Sequence, residues 1–174
     1  MANTFIKIAA VTVGSGGAAN IEFTSIPGTY TDLVLVTSTR NNASNEAGEQ
    51  VIQFNNSSSN LSNTVIYGTG SATGSYATTN AIPAYNNGAT STSSSFNNAI
   101  YYITNYAGSA NKAVSSESVF ENNATYAAQY IVAGLWSNSA AITSIKLLTS
   151  NNSTGASANF VQYSTATLYG IKNS

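Results

Sequence analysis

The chain has 174 residues, of which only eleven are charged, five Lys or Arg and six Asp or Glu, with no His and no Cys. Near neutral pH most enzymes use His, Cys, Lys or paired carboxylates to move protons, attack substrates or hold metals, so few routes to catalysis remain. A net charge of −1 with five scattered cations (Lys7, Arg40, Lys112, Lys146 and Lys172) argues against a nucleic-acid partner, because each neutralised phosphate needs a Lys or Arg.

Without Cys there is neither a disulfide framework nor a thiolate metal site, and no Asp-rich loop suggests an all-oxygen Ca²⁺ site. No cofactor or metal is expected. The 26 Ser, 21 Thr and 23 Asn make the chain hydroxyl- and amide-rich. Its 43% hydrophobic residues and 11 Tyr can still fill a core, so folding is expected over disorder. A chain of this length suits one domain, 1–174, burying roughly 70% of its unfolded surface. The first residues lack the basic and apolar regions of a signal peptide. No apolar run approaches the ~18 residues of a membrane span, and no membrane partner is expected.

Runs of β-branched and aromatic residues predict strands at 4–13, 20–25, 32–39 and 50–55. Further strands are predicted at 63–68, 98–104, 112–121, 126–135, 142–149 and 160–171. Gly-, Asn- and Ser-rich separators such as 14–17 (GSGG), 55–60 (NNSSSN) and 151–157 (NNSTGAS) carry turn chemistry. In 20–25, Ile21 and Phe23 alternate with Glu22 and Thr24, as a half-buried strand requires. The run Leu33-Val34-Leu35-Val36 is apolar on both faces and predicts a central strand covered on both sides. Tyr126, Tyr130 and Gly134 have a spacing of four that would suit a helix, but Ile131, Val132 and Trp136 favour strand. The stretch 69–97 is nearly all Gly, Ser, Thr and Asn with scattered Tyr76, Ile82, Pro83 and Tyr85, and reads as an extended surface loop. About ten short strands without a helical period indicate a β-sandwich or barrel.

Candidate chemistry is thin. Glu117 and Glu121 fall on one face of a predicted strand, about 13 Å apart, beyond the ~5–9.5 Å of a glycosidase pair. Glu46 and Glu49 read as solvated loop residues. Glu22 and Asp32 could meet across strands, although nothing in the sequence demands it. Gly14-Ser15-Gly16-Gly17 lies between two predicted strands and reads as a hairpin turn, not a phosphate cradle. There is no Gly-x-Ser-x-Gly elbow and no His to act as base. Trp136 with Tyr101, Tyr102, Tyr106, Tyr126 and Tyr130 could form a stacking platform for sugars or a protein contact. Filling a sandwich core and its edges is the favoured reading of the same aromatics, since strands enrich Tyr and Trp.

The stretches 4–35 (TFIKIAAVTVGSGGAANIEFTSIPGTYTDLVL), 105–125 (NYAGSANKAVSSESVFENNAT), 129–147 (QYIVAGLWSNSAAITSIKL) and 160–172 (FVQYSTATLYGIK) resemble virion structural proteins of tailed phages. The likeness is closest to phages of marine and freshwater bacteria, including cyanophages. It covers most of the chain apart from 69–97, and it carries no site motif.

The resemblance implies a jelly-roll-like antiparallel β-sandwich of about eight to ten strands, without enzymatic activity, on the capsid surface of the virion. It implies a capsid decoration (cement) protein, homotrimeric and bound to the major capsid protein. Phe5, Ile6 and Ile8 are candidates for that contact, or for the core. The alternative is a receptor- or glycan-binding module of a tail or head fibre, using Trp136, Tyr101, Tyr102 and Tyr106 with the 69–97 loop. A depolymerase using Glu117 or Glu121 as acid is disfavoured by the missing residue types.

Overall fold

Alternation of apolar and small polar side chains dominates the chain, and a period of two places one set on each face of a pleated strand. The computed structural model of the protein describes residues 4–121 and 126–172. Within them lie thirteen strands: β1 (Phe5–Thr12), β2 (Asn20–Phe23), β3 (Asp32–Thr39), β4 (Ala47–Phe54), β5 (Leu61–Gly68), β6 (Thr73–Thr79), β7 (Pro83–Asn87), β8 (Asn97–Ile103), β9 (Lys112–Glu121), β10 (Ala127–Trp136), β11 (Ile145–Asn151), β12 (Ser157–Ala158) and β13 (Thr165–Ile171).

An eight-stranded sheet runs β1-β13-β3-β8-β9-β10-β5-β6, and a five-stranded one is built on β11. In the smaller sheet β4 and then β7 follow on one side of β11, while β2 and β12 share its other side. Every pairing between named strands is antiparallel. The result is an antiparallel β-sandwich, the expected class.

All ten predicted strands are present, and β10 confirms strand over helix in its segment. The three additional strands are β6, β7 and β12. Two of them lie in 69–97, which is therefore not one extended surface loop. Its scattered apolar residues are the reason: Ile82, Ala84 and Tyr85 of this segment are buried in the core. Asn86 and Asn87 are buried beside them, with Asn86 Nδ2 donating to Thr149 Oγ1 (3.1 Å) and Asn87 Nδ2 to Ser95 Oγ (2.6 Å).

The rest of the segment is anchored by a cation. Arg40 is buried, and its guanidinium donates to the carbonyls of Ala89 (3.1 Å), Ser91 (2.9 Å), Thr92 (2.7 Å) and Ser95 (3.1 Å). Burial holds its pKa below the usual arginine value. Four charge-assisted bonds offset the desolvation of a cation, so the loop 88–95 is wrapped around it.

Between the sheets, Leu33, Leu35, Tyr101, Ile103 and Leu168 meet Ile52, Phe54, Ile145 and Leu147 in a continuous core. Phe54 and Trp136 pack at 5.4 Å between ring centroids, tilted by 47°. A polar pocket is satisfied inside this core. Thr39 Oγ1 donates to Gln50 Oε1 (2.9 Å), and Gln50 Nε2 donates to the Tyr101 hydroxyl (3.3 Å). Pairing these groups avoids the ~1–3 kcal/mol that a buried orphan would cost.

Candidate functional site

The strand β3 is central, between β13 and β8, but only one of its apolar faces is covered by the other sheet. Leu33 and Leu35 enter the core; on the outer face Val34, paired with Tyr169 and Tyr102, is buried, whereas Val36 is exposed. The expected second cover is therefore present at Val34 and absent at Val36. Register extends the exposed position into a row: Val36 pairs Ile100, Ile100 pairs Glu117, Glu117 pairs Ile131, and Ile131 pairs Ile66. The four apolar members are 37%, 45%, 55% and 60% exposed in the order Val36, Ile100, Ile131, Ile66. Five strands at the usual spacing make this row about 19 Å long.

The flanks of the row are shaped by small residues. On one side, Tyr102, Ser115, Ala133 and Thr64 form the next cross-strand row. Here Ala113, Ser115, Ala133 and Gly134 leave a shallow groove of about 300 Å³ beside Tyr102. On the other side Val119, 38% exposed, pairs with Gln129. The only acidic residue in the row is Glu117, whose Oε1 accepts from Gln129 Nε2 at 3.1 Å. Such a ridge of branched aliphatic side chains beside a groove is suited to burial against another surface.

The four aromatics proposed from sequence do not share one exposed platform. Trp136, Tyr101 and Tyr106 are buried in the core, and only Tyr102 reaches solvent, at 36%. Tyr101 is tied to Gln50, and Tyr106 donates its hydroxyl proton to the Pro27 carbonyl. Burial pushes the Tyr101 phenol well above the ordinary range. Large aromatic area is worth most when desolvated, which is why the sandwich takes these rings inside. Tyr102 instead donates to Asp32 Oδ2 at 2.7 Å, and this bond, with some desolvation, raises its pKa.

Tyr126 and Tyr130 form a separate cluster with Tyr67 and Tyr85. Tyr85 and Tyr130 are stacked at 3.7 Å, Tyr67 and Tyr130 at 5.6 Å, and the hydroxyls of Tyr126 and Tyr130 lie 3.2 Å apart. Of the N-terminal candidates, Ile8 packs against the core, while Phe5 is 56% exposed on an edge strand and meets Tyr169 edge-on at 6.4 Å.

The carboxylates are dispersed. Glu22 pairs with Lys146 at 3.6 Å, and Asp32 accepts from Tyr102 and, through Oδ1, from the Asn105 amide at 2.7 Å. These two acids therefore have separate partners. Glu49 departs from expectation: it lies on β4 and is half-buried, not in a solvated loop. Among the described residues no group of three or more His, Cys, Asp or Glu gathers in metal-binding geometry.

No known protein family, curated protein or solved structure matches this chain.

Proposed function

We propose that this protein is a non-enzymatic virion structural protein of a tailed phage, a capsid decoration protein that docks on the major capsid protein. The observation that carries this reading is the exposed row Val36, Ile100, Ile131 and Ile66 on the outer face of the large sheet. Burying a fully exposed aliphatic side chain is worth about 1.5–3 kcal/mol, and these four, already partly covered, gain roughly half of that each, so several in one face favour adhesion. The phage resemblance of the chain supplies the partner. A coat component needs a broad adhesive face rather than a reactive centre, and the dispersed carboxylates fit that need.

The proposal includes the homotrimer, and one of the two edges of the large sheet supports a role in self-contact. The β1 edge is interrupted by a bulge between Lys7 and Ala9. The β6 edge pairs with β5 in unbroken register and carries no charge and no Pro. Unguarded edges of this kind accept strands from another chain. The decisive experiment is co-sedimentation of the protein with capsids assembled from the major capsid protein of its virus. Binding that raises the particles' resistance to heat and low salt supports the reading. Failure to co-sediment, or particles of unchanged resistance, overturns it.

A further inference from the structure

The outer face of the small sheet holds a different kind of surface. Two cross-strand rows form its floor. In one, Glu49 pairs Ser150 and Ser150 pairs Ser157; in the other, Val51 pairs Leu148 and Leu148 pairs Asn20. Because β2 and β12 share one side of β11, the sheet is open between them. Residues 80–81 and 155–159 rise around this opening to enclose a hollow of about 500 Å³, a size typical of small-ligand sites.

Glu49 is the unusual member. Its carboxylate is half-buried and makes no hydrogen bond or ion pair with any described residue. Burial raises its pKa. Lys146 is four residues along the neighbouring strand, about 13 Å away by strand rise, and is engaged with Glu22. The carboxylate is only partly buried, so a bound donor replaces solvent around it and gains from the reduced hydration of the recess.

The other polar groups narrow the class of that donor. The side-chain amides of Asn20, Asn80 and Asn159 line the hollow with the hydroxyls of Ser150 and Ser157. An anion is disfavoured by Glu49 and by the lack of any Lys or Arg in the lining. A metal ion would find one carboxylate where it needs several oxygen charges. An ammonium group would use Glu49 but leave the amide N–H donors idle. A ring bearing several hydroxyls uses all of them, as each hydroxyl both donates and accepts, and its C–H face can rest on Val51 and Leu148.

We propose that this hollow is a saccharide-binding site, taking a hexose-sized ring whose adjacent hydroxyls donate to Glu49 and whose other hydroxyls meet the Asn and Ser groups. The site lies on the opposite face of the sandwich from the apolar row, so it is independent of capsid docking and remains open when that face is covered.

The test is a glycan array probed with the labelled full-length protein, followed by amide NMR titration with the free monosaccharides of the bound glycans. Wild type is expected to bind a subset of glycans and to shift the amides of Asn20, Val51 and Ser150. Glu49→Gln is expected to weaken binding at least about tenfold, the usual cost of removing the charged partner of a hydrogen bond. Ser150→Trp, which fills the hollow without altering the carboxylate, is expected to abolish binding, whereas Ile131→Lys leaves it unchanged. Wild-type binding weakens as pH falls through the titration of Glu49, and this dependence is absent in Glu49→Gln. Absence of glycan binding overturns the proposal. So does binding that survives both Glu49→Gln and Ser150→Trp, or a stronger response of the same amides to a simple diamine than to any sugar.

Discussion

Gln129 on β10 donates to Glu117 on β9 at 3.1 Å, placing one hydrogen-bonded carboxylate in the middle of an otherwise aliphatic row. Ile100 and Ile131 flank Glu117 directly on the neighbouring strands. The pairing means that the single charge in the row is already hydrogen-bonded before any partner arrives. Contact through this face then depends on apolar burial more than on ion pairs, and salt affects it little.

Replacing Ile131 by Lys tests that face directly. The side chain is 55% exposed, so stability is expected to change by no more than about 0.5 kcal/mol. Capsid co-sedimentation is expected to fall sharply. A thermal melt run beside the binding assay separates the two effects. Added NaCl should leave wild-type binding largely intact, and strong salt sensitivity would point to an electrostatic contact elsewhere.

Arg40→Met removes the guanidinium that gathers four carbonyls of residues 89–95. These acceptors lose a charged donor at once, with an expected cost of about 3 kcal/mol or more. Chemical denaturation measures the loss. Limited proteolysis should show new cleavage within 88–95, because the loop then has no central anchor.

Trp136→Ala is expected to behave as a core truncation, costing about 3–5 kcal/mol, since the ring packs on Phe54 at 5.4 Å. Tyr102→Phe removes only the exposed bond to Asp32 and should cost about 1 kcal/mol. Urea denaturation of both variants checks the contrast. A Trp136 variant of nearly wild-type stability would be incompatible with its buried position.

Alkaline pH should destabilise the fold. Burial raises the phenols of Tyr85, Tyr101 and Tyr130 well above the ordinary range, whereas unfolded tyrosine titrates near ~10. Below that pH both states are protonated, and the full stability is present. Above it the unfolded chain releases protons that the folded chain retains, so stability falls as pH rises. Melting temperature followed from pH 8 upward should drop past pH ~10, with phenolate absorbance from these rings appearing only on unfolding.

Glu49 gives the corresponding effect on the acid side. Its folded pKa is raised by burial, so its contribution to stability is complete below the unfolded value and is lost as pH rises through the folded one. Glu49→Gln is therefore expected to melt above wild type at pH 7, with the difference closing below pH ~4. Paired melts across that range measure it.

Much of the architecture was legible in the sequence, because strand alternation is a local signal. The alternation of β9 between buried and exposed positions is only partly written in residue type: Val114 and Phe120 face in and Glu117 and Glu121 face out, but Ser lies on both faces and Lys112 is buried. The strands β6 and β7 were missed for a reason visible in their composition. Thr, Ser and Gly make β6 read as a loop, β7 is buried at every position and so has no alternation to read, and a reading that treats Asn as turn chemistry cannot anticipate Asn86 and Asn87 buried with side-chain hydrogen bonds. Glu49 was misplaced in a loop by the same polar surroundings.

The sites were less legible than the strands. Composition excluded most reactive chemistry, and the two-faced run Leu33–Val36 already implied that one central strand needs more cover than a half-buried strand does. Which face this chain would cover, and which it would leave bare, is a property of how the sheets stack. Residues 66, 100 and 131 become one surface only through the pairing of β5, β8 and β10 with their neighbours. Likewise, Glu49, Leu148 and Asn20 meet only because β2, β4 and β11 lie side by side. Periodicity is written within one segment, so sequence alone determined the strands and the quiet chemistry. Register between distant segments is decided by packing, and tertiary structure alone decided where the aromatics went and which surfaces were left to bind.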